Sequence, residues 1–151
     1  MTIRRARPDE AAALTALAAR AKAHWGYDAE FMARVIDAMS ISAGDVEAHE
    51  VWLLEDASGR TVGFHRVIPD DRAEVEDMWV EPDAMGNGHG RRLFEHAIAI
   101  ARAFGATELE LDADPNAIGF YERMGMERIG ETHSTLISGR ALPRMRITLE
   151  R

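Results

Sequence analysis

The stretch of sequence with the clearest capacity for chemistry is rich in glycine and lies between a predicted strand and a predicted helix. Residues 80–93 read VEPDAMGNGHGRRL, with glycine at the alternate positions Gly86, Gly88 and Gly90. Glycine lets the backbone approach a ligand closely and adopt a positive φ. The free amides at the start of a helix, together with the helix dipole, favour a bound negative charge. The pattern therefore indicates a turn that binds a diphosphate.

Two familiar phosphate-binding loops do not fit this stretch. The dinucleotide fingerprint requires glycine where Arg91 stands, and it belongs between parallel strands. The Walker A loop ends in Gly-Lys-Ser or Gly-Lys-Thr, a sequence that this stretch lacks. A turn that serves only to enter the helix is the open alternative.

A second stretch, residues 114–126, reads DPNAIGFYERMGM and carries the candidate acid. Asp114 and Pro115 are typical of a helix start. Tyr121 has a phenol whose usual pKa of about 10 keeps it protonated at neutral pH, so it can give a proton to a leaving group. A core tyrosine on a short helix is the alternative.

Two neighbouring carboxylates, Glu76 and Asp77, are the candidates for a general base, and Glu74 and Glu81 are further choices. They precede the glycine-rich stretch on a predicted strand, and either can act through a bridging water. Strand alternation predicts that Glu76 shares one face with Met78 and Val80. Asp77 and Trp79 then lie on the other face. A solvated strand face is the alternative for each carboxylate.

The glycine-rich stretch resembles the pyrophosphate loop of the GNAT superfamily of N-acetyltransferases. That loop follows a strand ending in Val-x-Pro and reads Gln/Arg-x-x-Gly-x-Gly/Ala. Val80 and Pro82 match the strand end. Gly88 and Gly90 match the two small positions, whereas Met85 stands where Gln or Arg is usual. Because the family's loop binds mainly through backbone amides, the departure at Met85 casts little doubt on pyrophosphate binding.

The second stretch resembles the family's Asn-x-x-Ala-x-x-Phe/Leu-Tyr-x-x-x-Gly-Phe pattern. Asp114 stands at the usual Asn, and Met126 replaces the usual aromatic or aliphatic residue. The matching positions are Ala117, Phe120, Tyr121 and Gly125. The chain is thus identified as a member of the family, and the resemblance implies an acetyl-CoA-dependent N-acetyltransferase with residues 1–151 as a single domain.

The resemblance also implies roles for individual residues. In the family the pantetheine arm of the coenzyme pairs with an exposed strand edge, whose backbone polarises the thioester carbonyl; here this corresponds to residues 78–80, Met78, Trp79 and Val80. Tyr121 corresponds to a tyrosine near the coenzyme sulfur. The side chain of His89 is expected to face solvent. Further coenzyme contacts are implied for Met85, Gly86, Asn87, Gly88, His89, Gly90, Arg91, Asp114 and Asn116.

The acceptor side is predicted from three residues outside the two motifs. Trp25 and Tyr27 lie between the first two predicted helices, where proteins of this family often build an acceptor wall. Aromatic rings suit an amine, and packing at the helix junction is the alternative. Arg140, in a predicted loop over residues 138–143, is a candidate for binding an acceptor carboxylate or for a dimer contact. Relatives often pair through their last strands, so a homodimer is expected.

The composition narrows the partners and the mechanism. The formal net charge of −8 argues against a nucleic-acid binder, which would carry a basic face, and suits a cationic small-molecule or peptide amine. Because the chain has no cysteine, direct attack of the amine on the bound thioester is expected. The histidines lack metal-binding spacing, and no apolar run approaches the ~20 residues that span a membrane. A cytoplasmic enzyme without a metal is therefore expected.

The periodicity of apolar residues predicts a mixed α/β (α+β) fold, and the resemblance implies that this is the GNAT acyl-CoA N-acyltransferase fold. A mixed, mostly antiparallel sheet of about six to seven strands is flanked by about four helices. Turns at residues 56–59 and 69–72 form two successive hairpins, which implies antiparallel pairing. The predicted strands span residues 2–6, 50–55, 61–68, 73–80, 108–113, 126–132 and 144–149.

Two functional hypotheses of different classes follow from these observations. The first is an active N-acetyltransferase. The second is a non-catalytic acyl-CoA-binding sensor or interaction module of the same fold. The glycines fit both hypotheses, whereas Tyr121 and the nearby carboxylates favour catalysis. Fold alone does not decide between them.

Overall fold

A single sheet of seven strands organises residues 1–149, the part of the chain that the computed structural model describes. The strands are β1 Thr2–Arg5, β2 Glu50–Glu55, β3 Thr61–Ile68, β4 Arg72–Val80, β5 Glu108–Asp112, β6 Glu127–His133 and β7 Ala141–Thr148. The helices are α1 Ala11–Ala23, α2 Ala29–Met39, α3 Ala43–Ala48, α4 His89–Ala103 and α5 Ile118–Arg123. The strand order is β1-β2-β3-β4-β5-β7-β6. This mixed sheet with flanking helices confirms the predicted fold class.

The sheet opens between its central strands, β4 and β5. These strands run parallel, and their pairing extends from Arg72 opposite Glu108 to Glu74 opposite Glu110. Beyond Glu74, β4 stays paired with β3 as far as Val80. The other neighbouring pairs among the described strands are antiparallel, including the two hairpins β2–β3 and β3–β4 that the turns predict. The divergence of β4 from β5 leaves a cleft in the middle of the sheet.

A β-bulge in β4 changes the direction of its side chains beside this cleft. Two residues of β4, Glu76 and Asp77, correspond to one step along β3. A bulge of this kind interrupts the alternation of side chains. Val75 packs in the same core cluster as Met78, whereas Glu76 is exposed. Simple alternation therefore does not continue through the bulge, and the face that Glu76 takes stays a prediction.

Helices cover both faces of the sheet and hold β4 in place. On one face, α4 packs Phe94 against Leu109 of β5. On the other, α1 packs Leu14 against Phe64 of β3, and Trp79 of β4 joins this cluster. Each fully buried leucine or phenylalanine stabilises the fold by about 1.5–3 kcal/mol. None of the helices in residues 1–149 is long and apolar enough to cross a membrane.

Two elements differ from the sequence prediction. The short helix α3, in which Asp45 N donates to Ser42 Oγ at 3.0 Å, was not predicted because one turn and a half is too short to show helical periodicity. Strand β7 begins at Ala141, so the predicted loop over residues 138–143 ends inside a strand. Pro143 is typical of a loop, but here its carbonyl accepts from Ala113 N at 2.8 Å.

Candidate active site

The cleft where β4 diverges from β5 contains a cavity of about 600 Å³. Its walls come from β4, the glycine loop (residues 85–91), the segment from Asp114 through α5, and the end of α1. The two stretches that carry the sequence motifs therefore meet in one cavity. The predicted site residues that line it are Trp25, Glu76, Asp77, Met78, Trp79, Val80, Met85, Gly86, Gly88, His89, Gly90, Arg91, Asp114, Asn116 and Tyr121.

The glycine loop has the backbone conformation that its sequence predicts. Gly86 and Gly88 have φ values of 82° and 78°, in the left-handed region that favours glycine. Gly88 caps the start of α4, so the unpaired amides of the first helical turn lie at the cavity. Asn87 is outside the lining residues; its Nδ2 donates to Ala84 O at 3.2 Å and fastens the loop to the preceding turn.

The third glycine of the loop, Gly90, packs against α5. A Cβ atom at this position would lie 3.2 and 3.3 Å from the ring carbons Cε1 and Cζ of Phe120. The Phe120 ring in turn lies edge-on to Tyr121, with 5.1 Å between ring centroids. The start of α4 and the candidate acid are therefore held together by direct packing.

His89 and Arg91 take opposite environments in the first turn of α4. His89 is buried, with 7% of its surface exposed, because the start of α4 faces the cleft. The prediction that its side chain faces solvent is therefore wrong. Arg91 is exposed, and its Nε donates to Glu95 Oε1 at 2.9 Å, a weak surface pair that leaves its guanidinium available at the cavity mouth.

Tyr121 is buried and lines the cavity. Its ring lies 6.0 Å from that of Phe94 in the core. Burial raises the pKa of the Tyr121 hydroxyl above its usual value, and the negative charges of Asp114 and Asp77 raise it further. The hydroxyl therefore stays protonated over the whole neutral range, as a proton donor must.

The two candidate bases differ in their surroundings. Asp77 is buried, with its Oδ2 2.7 Å from Arg66 Nε, and its Oδ1 accepts from Trp79 Nε1 at 3.2 Å. Burial raises the pKa of Asp77, while the charge of Arg66 opposes the rise. Glu76 instead projects from the bulge into solvent at the cavity wall. The sequence analysis did not identify Arg66 as a site residue. A single charged residue in a mostly apolar strand was its only indication.

The predicted acceptor residues are not all in the cavity wall. Trp25 lines the cavity and is 39% exposed. Tyr27 and Arg140 are outside the lining residues, and both contact Asp114. The Tyr27 hydroxyl donates to Asp114 Oδ2 at 2.9 Å. Arg140 Nη2 also donates to Tyr27 Oη at 3.0 Å. Lys22 forms an ion pair with the same carboxylate. Lys22 was missed, although it is the one lysine of the sequence.

Charge is unevenly distributed around the cavity. Glu76, Asp77 and Asp114 form what we call the carboxylate end, together with Tyr121. Asp77 is paired with Arg66 and Asp114 with Lys22, so the exposed Glu76 is the carboxylate of this end that can attract a cationic ligand. Within residues 1–149, no three His, Asp or Glu side chains lie close enough together to hold a metal ion.

The family model described as "Acetyltransferase (GNAT) family" matches residues 16–126 of the chain. This match includes β4, the glycine loop, α4 and α5, and it therefore covers the motifs that line the cavity. It ends before β6 and Arg140.

The individual relatives and solved structures that the chain resembles are also N-acetyltransferases. The chain is 40% identical over 80 residues to "Serotonin N-acetyltransferase 2, chloroplastic" of Oryza sativa subsp. japonica, a match that covers 50% of this chain and 40% of that protein. It is 28% identical over 82 residues to "Peptidyl-lysine N-acetyltransferase YjaB" of Salmonella typhimurium, covering 54% of this chain and 53% of that protein. The chain thus spans about half the length of these relatives. The PaiA N-acetyltransferase of Thermoplasma acidophilum, solved with coenzyme A, has the same fold, with a TM-score of 0.81, 16% identity, and 97% and 98% coverage.

Proposed function

Since the chain belongs to the acetyltransferase (GNAT) family, we propose that it transfers the acetyl group of acetyl-CoA to a primary amine by direct attack in a ternary complex. The observation that carries this proposal is one cavity that joins a glycine loop at a helix start to Tyr121 and Glu76. An anion site, a proton donor and an exposed carboxylate thus lie around a common space. Acyl transfer to an amine requires such a set of groups.

The glycine loop has the features that a diphosphate requires. Positive φ at Gly86 and Gly88, with no atom within 4 Å of an added Cβ, leaves the backbone open to a close ligand. The start of α4 offers amides and a favourable dipole, and Arg91 adds a cation. Beyond Glu74 the edge of β4 that faces β5 leaves the ladder, so its backbone can pair with an extended ligand arm as an added strand does.

We assign acid and base chemistry to different sides of the carboxylate end. Acetyl-CoA supplies the activated acetyl group as a thioester. Tyr121 protonates the thiolate that leaves, because its hydroxyl holds a proton at neutral pH. Glu76 removes the proton of the amine through a water molecule, because it is exposed beside the cavity. Asp77 is the second candidate base, but its carboxylate is already engaged by Arg66 and Trp79.

The charge around the carboxylate end favours an acceptor that arrives as an ammonium ion. Glu76 attracts a cation, and the exposed ring of Trp25 offers a surface over which an amine can bind. The names of the two curated relatives point to amines, serotonin in one case and a peptidyl lysine in the other. We therefore propose a primary amine acceptor, either a small molecule or a peptide side chain.

We also propose that the protein acts as a homodimer. All residues of the edge strand β6 are exposed, on both faces of the sheet. This edge is therefore available to pair with a second copy of the chain. Sedimentation equilibrium tests this point, with a mass of two chains expected. A cytoplasmic location and the absence of a metal requirement remain predictions from the sequence.

A thiol-release assay tests the proposed function. Purified protein and acetyl-CoA are mixed with a panel of amines that includes arylalkylamines, amino acids and lysine-containing peptides, and free coenzyme A thiol is measured. Release that depends on one class of amine is expected, with acetylated amine formed in equal amount by mass spectrometry. Acetyl-CoA binding without release for any amine would favour the alternative, a non-catalytic acyl-CoA-binding sensor or interaction module.

A further inference from the structure

Asp114 is the centre of a polar cluster behind the carboxylate end of the cavity. Its side chain is 7% exposed, although it also contributes to the cavity wall. Its carboxylate accepts from the Tyr27 hydroxyl at 2.9 Å and from Asn116 N at 2.9 Å, and it forms an ion pair with Lys22. Arg140 is the fourth partner, at 3.5 Å. One carboxylate is thus shared by four hydrogen-bonding and ionic partners from three separate segments.

Aromatic packing extends this cluster toward α2. Tyr27 stacks on Phe31, with 4.2 Å between ring centroids and 12° between ring planes. The guanidinium of Arg140 lies 5.0 Å from the Tyr27 centroid and 4.9 Å from that of Phe31. Lys22 Nζ lies 4.9 Å from the Tyr27 centroid. Cations at this distance from aromatic rings are attracted to them, so the cluster is held by charge and by packing.

The cluster joins elements that are distant in the sequence. Lys22 is at the end of α1, Tyr27 is in the connection between α1 and α2, and Arg140 is in the connection between β6 and β7. Asp114 itself lies two residues after the end of β5. Trp25, which lines the cavity, belongs to the same α1–α2 connection as Tyr27.

The charge of Asp114 is essential to this arrangement. Burial raises its pKa, but the hydrogen bonds from Lys22 and Asn116 and the charge of Lys22 together outweigh burial, so the pKa of Asp114 lies below its usual value. An uncharged residue at this position would leave the buried Lys22 and the half-buried Arg140 without a counter-charge, which is unfavourable in a poorly solvated site.

We infer that Asp114 is a positioning residue that ties the α1–α2 connection and the β6–β7 connection together and thereby fixes the acceptor side of the cavity. The inference rests on the proposed function, because it assigns the cluster to the amine rather than to the coenzyme. Asp114 acts through Tyr27, Lys22 and Arg140, and through them it sets the position of Trp25 at the cavity wall.

Steady-state kinetics of Asp114→Asn test this role. We expect the KM for the amine to rise about tenfold, while kcat and the KM for acetyl-CoA change less than about threefold. Tyr27→Phe, which removes one donor, should raise the amine KM about threefold. Glu10→Gln is the matched control, because it breaks a partly buried ion pair with Arg4 at the opposite edge of the sheet; no change in the amine KM is expected. A rise confined to the KM for acetyl-CoA would overturn the inference.

Hydrogen exchange gives a readout that does not need turnover. In Asp114→Asn, amides of residues 24–28 and 134–140 should exchange at least about tenfold faster, whereas residues 86–92 should keep their rates and the acetyl-CoA Kd should stay the same. Unchanged exchange in both connections would contradict the inference even if catalysis were established. If wild-type protein acetylates no amine, the proposed function fails, and the exchange rates still decide whether Asp114 ties the two connections.

Discussion

The two ends of the cavity are built in different ways. The glycine end is the part of the cavity formed by the glycine loop. There the consecutive residues 85–91 contact a ligand mainly through their backbone amides. At the carboxylate end, Glu76 and Asp77 come from β4, Asp114 from the segment after β5, and Tyr121 from α5. One end therefore depends on local conformation, and the other depends on how distant elements pack.

This difference suits two ligands with different demands. A diphosphate has a fixed shape and charge, which a turn at a helix start can bind without large side chains. An acceptor amine needs a specific wall, a proton acceptor and a controlled approach to the acetyl group. Variation of the acceptor between relatives can thus occur at the carboxylate end while the glycine end stays the same.

The largest effect is expected at the carboxylate end, for Tyr121→Phe. Loss of the phenolic hydroxyl should lower kcat about 100-fold, since general acid catalysis contributes at least about that factor, while the Kd for acetyl-CoA stays within about twofold. Stopped-flow thiol release and calorimetry measure the two quantities. Phe120→Leu, on the neighbouring position, controls for packing. Full activity of Tyr121→Phe would remove the assignment of this residue as the acid.

The second effect separates the two carboxylates. Glu76→Gln should lower kcat/KM about tenfold and change the free energy of unfolding by less than about 0.5 kcal/mol, because Glu76 is exposed. Asp77→Asn should lower the free energy of unfolding by about 2 kcal/mol, because Arg66 is left with a weakened buried partner. Kinetics and urea unfolding of both variants measure this. If Asp77→Asn lowered kcat/KM about tenfold and Glu76→Gln left it unchanged, Asp77 would be the base.

The third effect is specific to the glycine end and has a close control. Gly88→Ala forces a residue with a side chain to φ 78°, and Gly105→Ala does the same at φ 79° beyond the end of α4. Neither added Cβ meets an atom within 4 Å, so each should destabilise the fold by about 1–2 kcal/mol. We expect the Kd for acetyl-CoA to rise about fivefold in Gly88→Ala alone. Equal Kd values for the two variants would show that the glycine loop does not bind the coenzyme.

The smallest effect on activity is expected from a residue that belongs to neither end. His65 is fully buried, and burial lowers its pKa to about 3 from a usual value of about 6.5. Its neutral form is favoured in the fold, so its contribution to stability is fully present above pH 6.5 and is lost as pH falls toward 3, by up to about 1.4 kcal/mol per pH unit.

Urea unfolding of wild type, His65→Leu and the exposed control His24→Gln between pH 7.5 and 5 measures this dependence. His65→Leu should flatten the acid loss of stability, and His24→Gln should keep it. Identical slopes for all three proteins would show that His65 is not the group responsible for the acid loss of stability. Activity at pH 7.5 should be little changed in both variants.

The same difference between the two ends decides how much the sequence reveals. The glycine loop was predictable because a ligand-binding turn requires glycine at particular positions, and Gly86 and Gly88 indeed have positive φ. The succession of strands and helices along the chain followed from hairpin turns and periodicity. These features depend on residues that are close in the sequence.

The carboxylate end was only partly predictable, because it depends on tertiary packing. The bulge at Glu76 has no sequence signal in a single chain, and it interrupts the alternation on which the prediction of this residue's face depends. The burial of His89 depends on the direction in which α4 leaves the loop. The meeting of Tyr27, Lys22 and Arg140 at Asp114 joins residues up to 118 positions apart (from 22 to 140), which no local pattern records.

The most direct test of the central claim is a calorimetric titration of the wild-type protein with acetyl-CoA. The cavity between β4 and β5, with its glycine loop and exposed strand edge, predicts saturable binding of one acetyl-CoA per chain, with binding weakened in Gly88→Ala. Absence of saturable binding at millimolar acetyl-CoA would contradict the assignment of the cleft as a coenzyme site, and with it the proposed acetyl transfer.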